Sequence, residues 1–245
     1  TFGTARNGTY IPRHLPVDRA LLRVLGLYLA EGHVSADGDR RRVMWSFHPT
    51  DEMALVDEVV AFWRSVDVEC DVRRGTTAAN VSISSRLLGA LFVGVLGLGG
   101  DCYSHRLPDF VWSLPRDLKL ALVEGMWLGD GSWSLIAGGP SVVFEYGTVS
   151  RSLADGLLRL LGDLGVCARQ KVGRTTKSTC DTHWLVVSGA DQIEPLVSLI
   201  PAVDRQPVRD SIAAQAKRIE PTGYRRLSGG VTALRVKSIE REPFH

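Results

Sequence analysis

VLGLYLAEG at residues 24–32 and VEGMWLGDG at residues 123–131 are two versions of one nine-residue pattern: an apolar run broken by a glycine at its third position, then an acid and a final glycine. The acids, Glu31 and Asp130, stand 130 − 31 = 99 residues apart. Downstream, LVDEVVAFWRSVDVECDVRRG from Leu55 aligns with LADGLLRLLGDLGVCARQKVG from Leu153 at an offset of 98, and Arg106-Leu107-Pro108 aligns with Arg205-Gln206-Pro207 at 99. A near-constant offset over most of the chain marks an internal duplication, and the fold must be two copies of one unit.

Each copy reads as helix, two strands, helix, two strands, helix. The expected fold is α+β, with duplicated αββαββα halves related by a pseudo-twofold axis. Turn signals fall at Ser35-Ala36-Asp37-Gly38, Gly75-Thr76-Thr77 and Ala137-Gly138-Gly139-Pro140. His48-Pro49-Thr50-Asp51 precedes an apolar period at Leu55, Val59 and Phe62, and Ser150 caps a run through Leu153, Leu157 and Leu161. Val43, Trp45 and Phe47 alternate with Met44, Ser46 and His48, as in a sheet with one packed and one open face. The expected organisation is a junction segment at 1–16, a first half at 17–110, a second half at 111–203 and a basic C-terminal segment at 204–245.

A chain of 245 residues, 44% hydrophobic and 23% charged, has an ordinary globular composition. No apolar run reaches the roughly 20 residues that span a bilayer, and no secretory signal is visible, so we expect an intracellular protein that makes no membrane contact. Cys70, Cys102, Cys167 and Cys180 form no zinc-ligand spacing and read as reduced thiols, mostly in the core. The net charge of +2 says little about partners, but its distribution says more: Asp204 to Arg241 holds nine Lys/Arg against four Asp/Glu, a local +5. Arg169, Lys171, Arg174 and Lys177 cluster against Asp181 alone.

In each motif an apolar helix ends at its acid. Gly26 and Gly125 lie five residues earlier, and Gly129 adds another small residue, so two such helices can approach without side chains between their backbones. That approach would bring Glu31 and Asp130 together. At about 4 Å the two charges repel by about 4 kcal/mol at an effective dielectric near 20, and the helix C-termini add negative potential. A divalent cation is the natural compensation. Oxygen-only ligands favour Mg²⁺ or a similar hard ion, and paired acids sharing metal suit hydrolysis of a phosphodiester.

These motifs and their repeat frame resemble the LAGLIDADG signature of homing endonucleases in its single-chain, two-motif form. The resemblance implies two saddle-shaped antiparallel sheets straddling duplex DNA, with Glu31 and Asp130 as metal ligands; it leaves open whether the backbone at Ala30 also contributes. It implies a monomer that makes a hydrolytic double-strand break with Mg²⁺, with Mn²⁺ as a substitute and Ca²⁺ holding a non-cleaving complex. Ser104-His105-Arg106-Leu107-Pro108 is similar to the segment before the second motif in intein-borne members, and the family's active-site lysine would fall on His105, its cationic role passing to Arg106 or its repeat partner Arg205. His48 would position the attacking water, with Tyr146 at the matching place in the second half. DNA readout would come from Arg42, Trp45, Arg73, Arg74, Asn80 and Ser82 in the first half. In the second it would come from Trp133, Tyr146, Arg169, Lys171, Arg174, Lys177 and His183. The halves differ at nearly all these positions, so the target should be asymmetric. The resemblance also suggests a domain of an intein without its splicing residues. Rival readings are a non-catalytic DNA-binding regulator of the same fold and an RNA-binding maturase.

Overall fold

The computed structural model describes residues 3, 10–135, 142–174, 179–214, 223–228, 231–236 and 238–239. The first half runs α1 (Arg19–Glu31), β1 (Gly32–Asp37), β2 (Arg40–Phe47), α2 (Met53–Ser65), β3 (Asp71–Arg74), β4 (Ala79–Ser84) and α3 (Arg86–Ala90), which continues as a π turn. The second half repeats this order with α4 (Arg116–Asp130), β5 (Gly131–Leu135), β6 (Val142–Thr148), α5 (Arg151–Asp163), β7 (Ala168–Gly173), β8 (Thr182–Ser188), α6 (Ile193–Leu196) and α7 (Ala202–Ala213). A short hairpin, β9 (Tyr224–Arg226) and β10 (Thr232–Leu234), follows. Each half forms a four-stranded antiparallel sheet, in the orders β1-β2-β4-β3 and β5-β6-β8-β7. The duplicated α+β architecture is the one the repeat dictates.

Local chemistry sets the element ends. Asp18 caps α1 by accepting the Leu21 amide at 2.9 Å, and Ser150 caps α5 by accepting the Leu153 amide at 3.2 Å. The first hairpin is tighter than its turn signal suggested: Ser35, Ala36 and Asp37 stay in β1, and the chain reverses at Gly38-Asp39, where Gly38 has φ +53. Positive φ there is what a two-residue hairpin demands and glycine supplies. Residues 137–140 lie outside the described residues.

The core is continuous through both halves. Tyr28, Trp45, Trp63 and Phe92 pack edge-on or tilted in the first half, with Tyr28 and Phe92 centroids 4.7 Å apart; Trp127 and Tyr146 pair at 5.5 Å in the second. Between them run α1 and α4, the closest-packed pair of elements. A Cβ on Gly26 would stand 2.3 Å from the Leu122 carbonyl oxygen, and one on Gly125 would stand 2.2 Å from that of Arg23. The helices therefore meet backbone to backbone, as the motif glycines predict. Farther from the acids, Arg23 pairs with Glu58 and Glu124, and Arg19 also reaches Glu124, an ionic tie across the halves. The cysteines are free but none is fully buried, and Cys102 is exposed, so the expectation of core thiols is corrected.

Candidate active site and nucleic-acid interface

Both motif acids are the last residues of their helices, and each is followed at once by a strand. Gly32 and Gly131 make that turn possible. A Cβ at 32 would fall 2.3 Å from the Tyr28 ring, and one at 131 would fall 2.2 Å from the Trp127 ring. Because α1 and α4 touch at Gly26 and Gly125, their ends stay together: a Cβ on Gly129 would stand 3.0 Å from Glu31 Cγ. The two carboxyls thus share one place, where β1 and β5 begin.

Neither acid ionises easily there. Burial, then the charges of Asp130 and Glu52, push the Glu31 pKa up to about 7. Asp130 keeps an exposed surface, yet the protein packed around it, followed by the charge of Glu52, raises it to about 7 as well. Tyr146 lies beneath them, fully buried; its hydroxyl has no hydrogen-bond partner, and burial plus the two carboxylates hold its proton well above the usual phenol range. Among the described residues no group of three or more His, Cys, Asp or Glu side chains is placed to hold a metal. The donor set is two carboxylates, which fits a hard cation completed by water and a phosphate better than a resident structural metal.

The expected basic helpers are placed otherwise. His105 is buried; its Nδ1 donates to the Leu29 carbonyl at 3.1 Å, and burial lowers its pKa to about 4, so it is neutral and the cationic role is corrected. Arg106 donates to the Gly97 carbonyl at 2.7 Å, and Arg205 to those of Ile200 and Ser198 at 2.9 and 3.2 Å. Both guanidiniums clamp the loop just before them. His48 Nδ1 accepts the Asp51 amide at 3.2 Å and faces the Asp51 carboxylate, which makes it a turn residue. Tyr146 is not its counterpart. Register places Tyr146 opposite Gly131 as Trp45 stands opposite Gly32, so Tyr146 matches Trp45.

Two residues absent from the expectation stand near the acids. Glu52, at the start of α2, accepts the His48 amide at 2.6 Å and bears on both carboxyls. Its counterpart is Ser150, the cap of α5, whose hydroxyl donates to the His105 carbonyl at 2.6 Å. His33 lies two residues beyond Glu31 and shares the open face with Met44. The alternation counted from Glu31 would have found His33; nothing local would have found Glu52.

The open faces sort the expected DNA-contacting residues. Paired residues across a ladder point the same way. On the first sheet Arg42, Arg73, Asn80 and Ser82 share the open face, Ser82 deep within it and Arg42 donating to Ser84 at 3.3 Å. Arg74 is exposed but in register with Ala79 on the packed side. Trp45 is completely buried, so it is core and not a base contact. On the second sheet Arg169 and Lys171 are exposed on the open face, in register with Val186 and Trp184. Trp133 pairs with Phe144 and packs on the core, and Tyr146 is core too. His183 pairs with Thr148 and Val172 and lies 3.1 Å from Gln170 on the packed side. Those three leave the interface because the strand phase is shifted by one residue from the one expected. Trp184, not anticipated, takes the open face. Arg174 pairs with Asp181 at 3.0 Å, and Lys177 lies outside the described residues.

Comparison with known proteins agrees with this geometry. Residues 117–201 match the LAGLIDADG-like domain family. The chain is 26% identical over 250 residues to an uncharacterized protein of Methanocaldococcus jannaschii, covering 99% of this chain and 27% of that one. It is 33% identical over 131 residues to the DNA polymerase II large subunit of Thermococcus kodakarensis, covering 53% of this chain and 7% of that one. The chain thus spans 27% or less of the length of these relatives. In three dimensions it is similar to I-DmoI in complex with DNA and Mn, with TM-score 0.51 and 12% identity, covering 82% of this chain and all of that one. Full-length WhiA from Thermatoga maritima gives TM-score 0.53 and 13% identity, covering 86% of this chain and 65% of that one. At these identities the likeness is one of fold. Among the described residues no helix is long and apolar enough to cross a membrane.

Proposed function

We propose that this chain is a site-specific DNA endonuclease that hydrolyses one phosphodiester in each strand of a long, asymmetric duplex target, acting as a monomer inside the cell. The observation that carries the reading is the convergence of Glu31 and Asp130, both pushed up to about 7, at the end of the helix pair that joins the two halves. Two acids that resist ionisation side by side are poised for a cation, and an interface bearing Arg42, Arg73, Arg169 and Lys171 is suited to phosphate and base edges. Mg²⁺ suits the pair, with Mn²⁺ in its place or Ca²⁺ in a non-cleaving complex; solved structures of I-DmoI with DNA hold Mn or Ca. Such an ion, when bound, supplies Lewis-acid activation of the phosphate and of the attacking water.

The residues of the chain do the rest. Glu31 and Asp130 would hold the ion. Tyr146, fully buried, closes the floor beneath them, and Glu52 adds negative charge that sharpens the demand for a cation. His33, just past Glu31 on the open face, would orient a water or a phosphate oxygen. Hydrolysis would leave a 5′-phosphate and a 3′-hydroxyl. Because its relatives are several times longer, we also read the chain as a domain carried within a larger polypeptide of the intein type.

A second reading, a non-catalytic DNA-binding module of the same fold, draws support from the neutral His105 and from the commitment of Arg106 and Arg205 to backbone carbonyls. One experiment separates the two. A randomised duplex library incubated with the chain and Mg²⁺ should yield one cleaved sequence. Glu31→Gln and Asp130→Asn should each bind that sequence in Ca²⁺ with near wild-type affinity yet make no double-strand breaks. Cutting at the wild-type rate by either variant refutes that carboxylate's role; binding without cutting by the wild type establishes the second reading.

A further inference from the structure

At one equivalent position on their open faces the two sheets carry opposite chemistry. Register fixes the equivalence: Trp45 stands opposite Gly32 and Tyr146 opposite Gly131. The next rung is Ser46, Asn80 and Arg73 in the first half, and Gly147, Trp184 and Lys171 in the second.

In the first half the rung is polar. Ser46 donates its hydroxyl to Asn80 Oδ1 at 2.7 Å, which fixes the amide and leaves its NH₂ group to donate elsewhere, and Arg73 is held beside it by Asp71 at 2.9 Å. Arginine and asparagine donors placed in a major groove suit the N7 edge of a purine. In the second half the rung is centred on a flat apolar ring. A Cβ on Gly147 would lie 3.4 Å from Trp184 Cδ1 and Nε1, and one on Gly173 would lie 3.3 Å from Cζ3. The indole therefore lies across three strands, its pyrrole edge over one glycine and its benzo edge over the other, in space that two missing side chains leave. Its one polar atom, Nε1, lies in the ring plane at the Gly147 edge, so the half-buried outer face itself offers only ring carbon. Val186, on the same face, is almost fully buried beside it, and the exposed Lys171 flanks it with positive charge. A flat apolar plate with Lys171 on its own rung and the exposed Glu145 one rung away matches one major-groove feature, the C5-methyl of thymine.

We infer that Trp184 is a specificity-determining residue that reads the thymine methyl in the half-site under the second sheet, while Arg73 and Asn80 read a purine at the symmetry-related position of the other half-site. The inference rests on the DNA-cleavage reading above and adds which base chemistry each half selects.

The test uses the full chain in Ca²⁺ and a randomised DNA duplex library as the probe. From the selected site, duplexes are made in which each thymine in turn is replaced by deoxyuridine, which removes only the methyl. One thymine in one half-site should then cost the wild type about fourfold in affinity, the effect of one buried methyl group. That loss should vanish in Trp184→Ala, and in Gly147→Val, which lifts the plate. At the mirror position a 7-deazapurine should weaken wild-type binding about tenfold and leave Arg73→Ala unaffected. A selected site with no methyl-sensitive thymine overturns the inference alone, using wild-type protein only. Sensitivity that survives in Trp184→Ala does the same. If no sequence is enriched, the DNA-cleavage reading falls and takes the inference with it.

Discussion

Replacing Glu31 by glutamine should stabilise the protein at alkaline pH while abolishing the cleavage proposed for it. A carboxyl whose pKa rises from 4.5 to about 7 on folding binds its proton more tightly in the folded state. The folded state therefore loses stability as pH climbs from about 4.5 to about 7, and the loss is complete above that. A rise of this size corresponds to about 3 kcal/mol between the two forms. Glu31 is partly open to solvent, and screening cuts the figure to roughly 1.5 kcal/mol. For a chain of this length that is about 3–6 °C in melting temperature. In EDTA at pH 8, Glu31→Gln should melt that much above the wild type, and by pH 4.5 the gap should close. Millimolar Mg²⁺ should raise the wild type and leave the variant nearly unmoved, because one carboxylate remains to hold the ion. Equal melting temperatures at pH 8, or a variant that gains as much from Mg²⁺ as the wild type, would refute the account of paired, reluctant acids.

Two further outcomes follow from the packing. Gly125→Ala places a methyl 2.2 Å from the Arg23 carbonyl oxygen and should cost roughly 1–3 kcal/mol in urea unfolding, whereas Gly162→Ala, with open space around it, should be neutral or slightly stabilising. A gain at Gly125→Ala equal to that at Gly162→Ala would show that the backbone contact sets no constraint there. His105 should show an NMR titration midpoint near 4, and folding stability should fall as pH drops from about 6.5 toward 4, because the folded state prefers the neutral ring. A midpoint near 6.5 would return the charge to that site.

The duplication and the motif glycines made the frame legible in the sequence, since a 99-residue offset and an apolar run ending in an acid are local, countable signals. The strand faces were legible only in part. Alternation divides a strand into two sets without saying which set meets the core. Val43, Trp45 and Phe47 do share one face as the pattern suggests, yet Trp45 is core, while Trp133 and His183 sit one residue out of phase with the open face that Trp184 occupies. Glu52 reaches the acids only because α2 returns over the first sheet, a tertiary fact with no trace in local sequence. His105 shows the limit of transfer by resemblance: its position in the segment matched, but the Leu29 carbonyl and the Tyr28 ring, centroids 5.3 Å apart, hold it as a neutral strut.

The backbone contact at Gly26 and Gly125 separates two kinds of evolutionary freedom. The spacing of the paired acids depends on peptide groups in direct contact, whose dimensions are the same in every protein, and not on the fit of particular side chains. On the proposed DNA-cleavage reading, substitutions on the two sheets would accumulate independently, altering the bases each half prefers, while the separation at which two phosphates are met would stay constant. On that reading, a lineage built this way would change its target one half-site at a time without re-solving its chemistry.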